Sequence, residues 1–348
     1  MDFIIYKLIV IAVVFGMTMT IAMYATLAER KFSAFLQDRI GPNRAGPFGL
    51  LQPLADGVKF FFKEEFTPSG ADKWLFIIAP GIAMTTALMV GAVIPWGDTF
   101  VLNGTEYHFQ ITDLDIGLLY VFGVVSLSVY GIMIGGWASN NKYSLLGALR
   151  ASSQIISYEL GMGLSLIGLL MITETLSLRG IVEQQGQAFL GIDGFHWNVF
   201  FQPLGFLIFT VCAFAETNRA PFDLPECEAE LVAGYHTEYS SMKLGLFLFA
   251  EYIHMFTSSA MMSVLFFGGF NFPFMNSLGL DQNVVTLLGH LAMMGKTLFF
   301  MFVFIWVRWT LPRFRYDQLM KLGWQILIPL ALFNIFGTGL VMLLKEAF

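Results

Sequence analysis

The stretch FIIYKLIVIAVVFGMTMTIAMYATLA, from Phe3 to Ala28, sets the fold class of this chain. It exceeds the roughly 20 apolar residues that an α-helix needs to cross a bilayer, and Lys7 is its only charged residue. A secretory signal has a basic leader, a shorter apolar core and a small-residue cleavage site, whereas here the basic pair Arg30 and Lys31 follows the run. We therefore expect a retained first span with its N-terminus outside.

The composition of the whole chain also points to a membrane protein. Of the 348 residues, 56% are hydrophobic and 13% are charged, whereas a soluble domain carries about 25% charged residues. The formal net charge of -6 argues against nucleic acid as a partner. The two cysteines, Cys212 and Cys227, have neither the number for a disulfide framework nor the spacing of a metal site.

Further apolar runs follow the first and are long enough to span. The runs lie near 3–28, 75–95, 115–137, 147–173, 199–216, 242–268, 285–307 and 324–344. We predict an all-α polytopic membrane protein with eight transmembrane helices. It forms a single membrane domain over 1–348, divided into the first span at 1–28, a cytoplasmic loop at 29–74, and seven further spans with their loops at 75–348.

The Lys and Arg residues predict the orientation. Most of the 19 basic residues flank the loops after the odd-numbered runs. The other side has only Lys7, Arg179 and Lys345, and Lys296 falls within a run. Because cytoplasmic loops carry the excess of Lys and Arg, both termini are expected on the outer side.

The first cytoplasmic loop contains an amphipathic pattern over 49–66. Gln52, Asp56, Lys59 and Lys63 repeat at helical spacing, and apolar residues occupy the other side. This predicts an amphipathic surface helix lying along the membrane face. A simple membrane anchor is the alternative, but the acidic Asp56 within a basic face makes a functional site worth considering.

Ionisable residues also fall inside the predicted spans. Glu159 lies midway along the fourth run, Glu216 closes the fifth, Glu251 and His254 share one face of the sixth, and Lys296 lies in the seventh. Because such residues are costly in a bilayer, they favour a proton or ion path. The alternative is a set of structural pairs, for instance a buried carboxylate with Lys296.

The loop after the fifth run is the most acidic. Its acidic residues are Glu216, Asp223, Glu226, Glu228, Glu230 and Glu238, with Arg219 among them. If Pro225 opens a helix, Glu226 and Glu230 repel at i, i+4, so one of them can hold a proton near neutral pH. A solvated acidic loop is the alternative, against which stand the interleaved Phe222 and Leu224.

These loops resemble the H subunit of the bacterial proton-pumping NADH–quinone oxidoreductase, whose mitochondrial relative is NADH dehydrogenase subunit 1 of respiratory complex I. The matching segments are ERK at 29–31, QDRIGPNR at 37–44, GLLQPLADGVK at 49–59, GWAS at 136–139, SYE at 157–159, AETNRAPFDLPE at 215–226 and PRFRYDQ at 312–318. The matches occur in all four predicted cytoplasmic loops. Cys227 and Ser33-Ala34-Phe35 are local departures that remove no charged residue from a motif.

The resemblance implies eight spans plus a surface helix in the bacterial inner membrane. It also implies that the chain forms most of a chamber for a lipid quinone, which is its substrate, and couples quinone reduction to proton translocation. The chain itself then binds no cofactor, in keeping with the lack of nucleotide or CxxC motifs. NADH, FMN and the iron–sulfur clusters belong to hydrophilic partner subunits, and further partners are the other membrane-arm subunits.

The same resemblance assigns roles to individual residues. It places at the quinone chamber Arg30, Arg39, Asp56, Phe222, Asp223, Glu226, Glu228 and Glu230. It places on a proton-coupling path Glu159, Glu216 and Glu251.

Two other functions stay open at this point. One is the equivalent subunit of a membrane-bound hydrogenase or of a ferredoxin- or coenzyme F420-linked complex. The other is a stand-alone secondary transporter, which would predict inverted repeats around a midplane site.

Overall fold

The computed structural model describes residues 3–102, 104–189, 191–223 and 234–347. Most of this part of the chain is α-helical. In chain order the helices are α1 (Phe3–Leu36), α2 (Gln52–Phe62), α3 (Lys73–Val90), α4 (Gly117–Ala138), α5 (Lys142–Thr173), α6 (Leu178–Gln185), α7 (Asn198–Phe201), α8 (Pro203–Glu216), α9 (Ser241–Phe266), α10 (Gln282–Thr310), α11 (Tyr316–Lys321) and α12 (Ile328–Ala347).

Shorter elements connect these helices. A π-helical turn at Leu322–Leu327 joins α11 to α12, and 3-10 turns lie at Pro47–Gly49, Gly234–His236 and Met275–Leu278. The strands β1 (Thr99–Leu102) and β2 (Thr105–His108) form an antiparallel hairpin between α3 and α4. The side chains of Tyr6 and Lys7 donate to backbone carbonyls of this hairpin region, so the start of α1 is fixed to it.

Within the described residues, six helical stretches are long and apolar enough to cross a membrane. They are α1, α3, α4, α5, α10 and the stretch Tyr316–Lys345. Helix α8 is apolar but has 14 residues, and the 26 residues of α9 include Lys243, Glu251 and His254. Each of the eight predicted runs contains a helix, but among the residues that the structure describes only six stretches have the length and composition of a span.

Exposed apolar side chains support a lipid or protein environment for these helices. On α12, Phe333 and Phe336 are 70% and 73% exposed, and Leu340 is also exposed. Soluble monomers rarely expose contiguous apolar surface of this kind. The chain is therefore a multi-pass membrane protein.

Helix α1 is longer than the predicted first span. It continues from Ala28 through the charged residues 29–31 to Leu36, giving a length of about 50 Å at 1.5 Å per residue. This exceeds the roughly 30 Å hydrocarbon core, so the last turns of α1 extend beyond it. The helix therefore continues eight residues past the predicted end of the span at residue 28, and Glu29 on this continuation is buried and paired inside the protein.

Helix α2 is shorter than the predicted segment 49–66. Gly49 precedes it with a φ of +82°, and a Cβ at this position would clash with the carbonyl of Pro42. Only glycine avoids this clash, so the chain makes a tight turn before α2 begins at Gln52. The helix ends where Lys63 takes an extended conformation.

The helices pack in a chain of neighbours around two apolar cores. Helix α4 lies between α3 and α5, and α5 also packs against α8 and α12. Helix α9 contacts α1, α3 and α10. The close approach of α3 and α4 occurs at Gly131, where a Cβ would lie 3.0 Å from the backbone nitrogen of Ala83. This arrangement brings the end of α8 and the middle of α9 together inside the bundle.

Candidate functional site

A buried carboxylate near the end of α1 connects four parts of the chain. Glu29 Oε2 accepts hydrogen bonds from Arg219 Nη1 and from the Tyr252 hydroxyl, each at 2.9 Å. Its other oxygen, Oε1, pairs with Arg308 at 2.6 Å. The side chains of Glu29 and Arg219 are 7% and 4% exposed. We call Glu29, Arg219, Tyr252 and Arg308 the Glu29 cluster; it joins α1, α9, α10 and the loop after α8.

The charge of Arg219 is held in place by its surroundings. Burial alone lowers the pKa of a guanidinium, but Tyr252, Glu29 and Glu251 act in the opposite direction and leave the pKa of Arg219 above its ordinary value. The guanidinium also lies 4.1 Å from the centroid of the Tyr252 ring. Arg219 therefore stays cationic and acts electrostatically on Glu251 as well as on Glu29.

A second ion pair forms at the cytoplasmic face predicted from the sequence. Arg30 Nη1 lies 2.5 Å from Asp56 Oδ2, and Gln52 Nε2 donates to Asp56 Oδ1 at 3.1 Å. The structure therefore brings together two of the predicted chamber residues, one on α1 and one on α2. Arg39 is not part of this pair, because its Nε donates to Gln37 at 2.8 Å.

The segment around Phe222 is anchored from three directions. Gln154 Nε2 on α5 donates to the carbonyls of Phe222 and Ala215, at 2.8 and 2.9 Å. The Phe222 ring is buried against Tyr158 and Phe314, with ring centroids 5.5 Å away in both cases. These hydrogen bonds and ring contacts fix the backbone of the segment against α5 and the loop after α10.

The neighbouring Asp223 is buried and paired. Its Oδ2 lies 2.9 Å from Arg313 Nη2, in the loop after α10. This contact joins two of the motifs that were quoted from the sequence, at 215–226 and 312–318. The predicted chamber residues Glu226, Glu228 and Glu230 lie outside the described residues.

Two small cavities lie inside the bundle, and Glu216 lines both. The first, of about 30 Å³, is lined by Glu216, Asn218, Tyr235, Glu251 and His254 among others. Across it the Tyr235 hydroxyl donates to Glu251 Oε1 at 3.3 Å. A water molecule needs about 10–15 Å³ and a few polar partners, so this cavity has the size and polarity to hold water.

The second cavity continues from Glu216 towards the interface of α4 and α5. It also measures about 30 Å³, and Phe122, Met162, Thr257 and Ser258 contribute to its lining. Phe122 and Met162 lie one turn from Ser126 and Glu159, and the Ser126 hydroxyl donates to Glu159 Oε1. Glu159 lies close enough to Glu216 for the two carboxyl groups to interact electrostatically.

These contacts place the three predicted path residues in one sequence of neighbours. Glu251 and Glu216 face the same cavity, and Glu216 then faces the second cavity towards Glu159. Asn218, in the first cavity, directly precedes Arg219 of the Glu29 cluster. Chemically, carboxyl groups beside a small polar cavity, such as the first, can exchange protons through water, and neighbouring carboxyl groups such as Glu216 and Glu159 respond to charge on each other.

Lys296 binds backbone carbonyl groups and not a buried carboxylate, which the sequence had suggested as one possible partner. Its ammonium donates to the carbonyls of Phe267, Gly269 and Asn271, at 2.7, 2.9 and 2.5 Å. These carbonyls follow the C-terminus of α9, where a cation stabilises the unpaired carbonyl groups. Lys296 thus closes the end of α9, and the structure does not place it beside Glu216 or Glu251.

The sequence interpretation missed most of the Glu29 cluster. Glu29 and Arg219 appeared only as parts of motifs, and Tyr252 and Arg308 were not considered as site residues. One feature of the sequence could have identified Glu29: it is an acidic residue at the end of a long apolar stretch, directly before the basic pair Arg30 and Lys31. Its partners come from far along the chain, with Arg219 190 positions later, so local pattern could not identify them.

Comparison with known proteins gives one consistent result. A family model described as NADH dehydrogenase matches residues 8–339. A protein of Cytophaga hutchinsonii named as an H subunit of NADH-quinone oxidoreductase is 64% identical over 343 residues, 99% of this chain and 98% of its own length. The H subunit of NADH-quinone oxidoreductase from Flavobacterium psychrophilum is 62% identical over 98% of both chains. The corresponding Leptospira biflexa protein is 51% identical over 92% of this chain and 90% of its own.

Proposed function

The chain belongs to the NADH dehydrogenase family, and on that premise we propose that it is the membrane subunit of a proton-pumping NADH–quinone oxidoreductase that forms most of the quinone chamber. In this role it couples quinone reduction to proton translocation. The observation that carries the proposal is the unbroken sequence of neighbouring ionisable groups from the Glu29 cluster through Glu251 and Glu216 to Glu159. Two cavities that share Glu216 lie along that sequence.

The membrane topology follows from the helices. Six stretches have the length and composition of spans, and α8, extended by α7, together with α9 would complete eight. On α9, Glu251 and His254 face the first cavity and Tyr252 donates to Glu29 on α1, which lowers the cost of placing them in a bilayer. With the basic loops inside, both termini lie on the outer side of the bacterial inner membrane.

Helix α2 fits an interfacial position. Leu54, Val58, Phe61 and Phe62 are exposed on it, and Lys59 supplies a positive charge in its last turn. An amphipathic helix of this kind lies in the membrane interface with its apolar face in the lipid. Its Asp56 then holds Arg30 at the level where a quinone headgroup enters from the bilayer.

The chamber is assigned to the space bordered by two ion pairs. Arg30 with Asp56 joins α1 to α2 within the first cytoplasmic loop, and Arg313 with Asp223 joins the loop after α10 to the loop after α8. Beside the second pair the Phe222 ring is buried against Tyr158 and Phe314 and fixes the position of this segment. Arg39, Glu226, Glu228 and Glu230 complete this set from the family resemblance. Electrons reach the quinone from partner subunits that hold NADH, FMN and the iron–sulfur clusters.

Coupling follows from the charge change that reduction causes. Two electrons and two protons convert a quinone to its quinol, and the protons are withdrawn from groups near the chamber. The loss of positive charge there changes the electrostatic potential at the acidic loop and at Arg219. Arg219 in turn interacts electrostatically with both Glu29 and Glu251. The response then passes along the membrane through Glu251, Glu216 and Glu159 in that order. Each group either transfers a proton or changes its hydrogen-bond or ion-pair partner.

The names of the relatives favour this function over the two alternatives. Each of the relatives described above is named as a subunit of an NADH-quinone oxidoreductase, and not of a hydrogenase or a transporter. Purification of the complex through a tag on this chain separates the possibilities. We expect subunits with NADH-oxidising activity to copurify and to reduce quinone, whereas a hydrogenase-type partner set, or solute transport by the chain alone, would refute the assignment.

The same preparation tests the chamber assignment. Arg313→Met removes the partner of the buried Asp223 and should weaken quinone reduction while leaving NADH oxidation with a soluble acceptor intact. Lys345→Met, at an exposed site on α12, is the control. Equal quinone reduction by both variants would place the chamber elsewhere.

A further inference from the structure

An apolar groove runs along the outer surface between α1 and α10. Its volume is about 390 Å³, and on α1 it is lined by Ile21, Tyr24, Ala28, Lys31 and Phe35. These positions repeat at helical spacing, so they form one stripe along α1. Met301 and Phe302 lie on the facing side of the groove, on α10.

The floor of the groove is closed by aromatic packing. The rings of Phe32 and Phe302 meet edge to face, with centroids 5.0 Å apart. Phe35 and Leu298 at the rim are 70% and 49% exposed. The groove is therefore open towards the surrounding lipid and closed towards the interior of the bundle.

Two residues that line this groove have a polar group with no partner among the described residues. They are Lys31, with its ammonium, and Tyr24, with its hydroxyl. By contrast the adjacent Arg30 is paired with Asp56. The Lys31 ammonium is thus an uncompensated positive charge at one end of an apolar groove.

The length of the groove matches one leaflet of a bilayer. Lys31 lies ten residues after Ile21 on α1, about 15 Å at 1.5 Å per residue, and the hydrocarbon of one leaflet is half of about 30 Å. A transmembrane helix from a partner would need the full thickness. A molecule with a charged end at Lys31 and an apolar chain that reaches the depth of a single leaflet fits instead.

From the charge at Lys31 and this length, we propose that the groove between α1 and α10 binds one anionic phospholipid of the leaflet on the Lys31 side. Its phosphate pairs with Lys31, and an acyl chain lies on Ala28 and Met301. A zwitterionic lipid gains less at this site, because its own cation opposes Lys31.

Photolabelling of the purified, assembled complex tests the proposal. The complex is placed in phosphatidylcholine vesicles that contain either a photoreactive phosphatidylglycerol or the equivalent photoreactive phosphatidylcholine. Peptides covering 21–35 and 298–305 are then quantified by mass spectrometry. One basic residue near an anionic surface implies about a fivefold preference for phosphatidylglycerol.

Matched variants separate the site from general lipid contact. Lys31→Gln should reduce the preference to about one, and Lys31→Arg should restore it. Lys321→Gln, at an exposed lysine of α11, should leave the preference unchanged. Both positions are lysines at the protein surface. Their variants are compared in preparations that contain the same amount of assembled complex and oxidise NADH at the same rate.

Three results would overturn the proposal. Equal labelling of the wild-type groove by both lipids would mean ordinary bulk lipid. Absence of labelling by either lipid would mean that a partner subunit fills the groove. Loss of labelling on addition of quinone, with no headgroup preference, would assign the groove to the substrate.

Discussion

Arg219 donates to Glu29 across 2.9 Å in the interior of the protein, and this contact joins the loop after α8 to the last turns of α1. Arg308 pairs with the other carboxylate oxygen at 2.6 Å. Through Arg219 the same cluster acts on Glu251, which faces the first cavity. The loop after α8 and the interior of the bundle therefore share one set of charges.

Glu29→Gln should destabilise the assembled complex. The change removes the carboxylate of a buried pair and leaves Arg219, which is 4% exposed, without its anionic partner. Breaking a buried pair in this way costs about 3–5 kcal/mol. The measurement is the temperature at which half of the purified complex loses this subunit.

Glu183→Gln is the matched control for Glu29→Gln. Glu183 is 57% exposed and pairs with Arg179 one helical turn away. Loss of such an exposed pair lowers the free energy of unfolding by only about 0–1 kcal/mol. If the two variants dissociate at the same temperature, the Glu29 cluster has no special stabilising role.

Arg30→Gln should raise the KM for quinone with little effect on stability. Arg30 and Asp56 are 50% and 26% exposed, and exposed pairs contribute about 0–1 kcal/mol to folding. If the pair shapes the chamber entrance, we expect roughly a fivefold increase in KM, equivalent to about 1 kcal/mol. Steady-state kinetics with a soluble short-chain quinone would show it, with Lys63→Gln as control. An unchanged KM would exclude Arg30 from the chamber.

Acidification should loosen the outer hairpin through His108. Burial lowers the pKa of His108, and the positive charge of Arg179 lowers it further; Arg179 Nη1 lies 2.6 Å from Nδ1 of the ring. Because the folded pKa is below the unfolded value of about 6.5, the folded state binds fewer protons. Its stabilising contribution is present above that pH and is lost as the pH falls towards the folded pKa.

Hydrogen exchange over residues 99–108 measures this effect. Exchange protection in the wild type should fall between neutral pH and pH values below about 6.5, and His108→Gln should flatten this dependence. The same pH dependence in both proteins would show that another group controls the hairpin.

The sequence predicted the helices well, because a long apolar run admits few structures in a bilayer. It could not predict that α1 continues to Leu36, since Glu29 is acceptable there only because Arg219 and Arg308 surround it. The tight turn at Gly49, which starts α2 late, likewise depends on its contact with Pro42. Both differences arise from contacts between distant residues.

Some of the site was predictable for a related reason. A carboxyl group in an apolar helix is costly, so Glu159, Glu216 and Glu251 could be singled out from the sequence. Their order, with Glu216 between two cavities, depends on how α5, α8 and α9 pack. The pairing of Lys296 with carbonyls after α9 was not predictable either, because it depends on the backbone of the following turn.

If Glu216 transmits the effect of quinone reduction into the membrane, its replacement changes the number of protons pumped per quinone reduced. The measurement uses the assembled complex in sealed vesicles, with Glu106→Gln, at an exposed position of β2, as control. A positioned proton-transfer group contributes about 10²–10⁴-fold to the rate of transfer. In Glu216→Gln proton movement should therefore become slow relative to quinone reduction, which lowers this ratio at least about tenfold. A ratio equal to that of the wild type, with quinone reduction intact, would contradict the account.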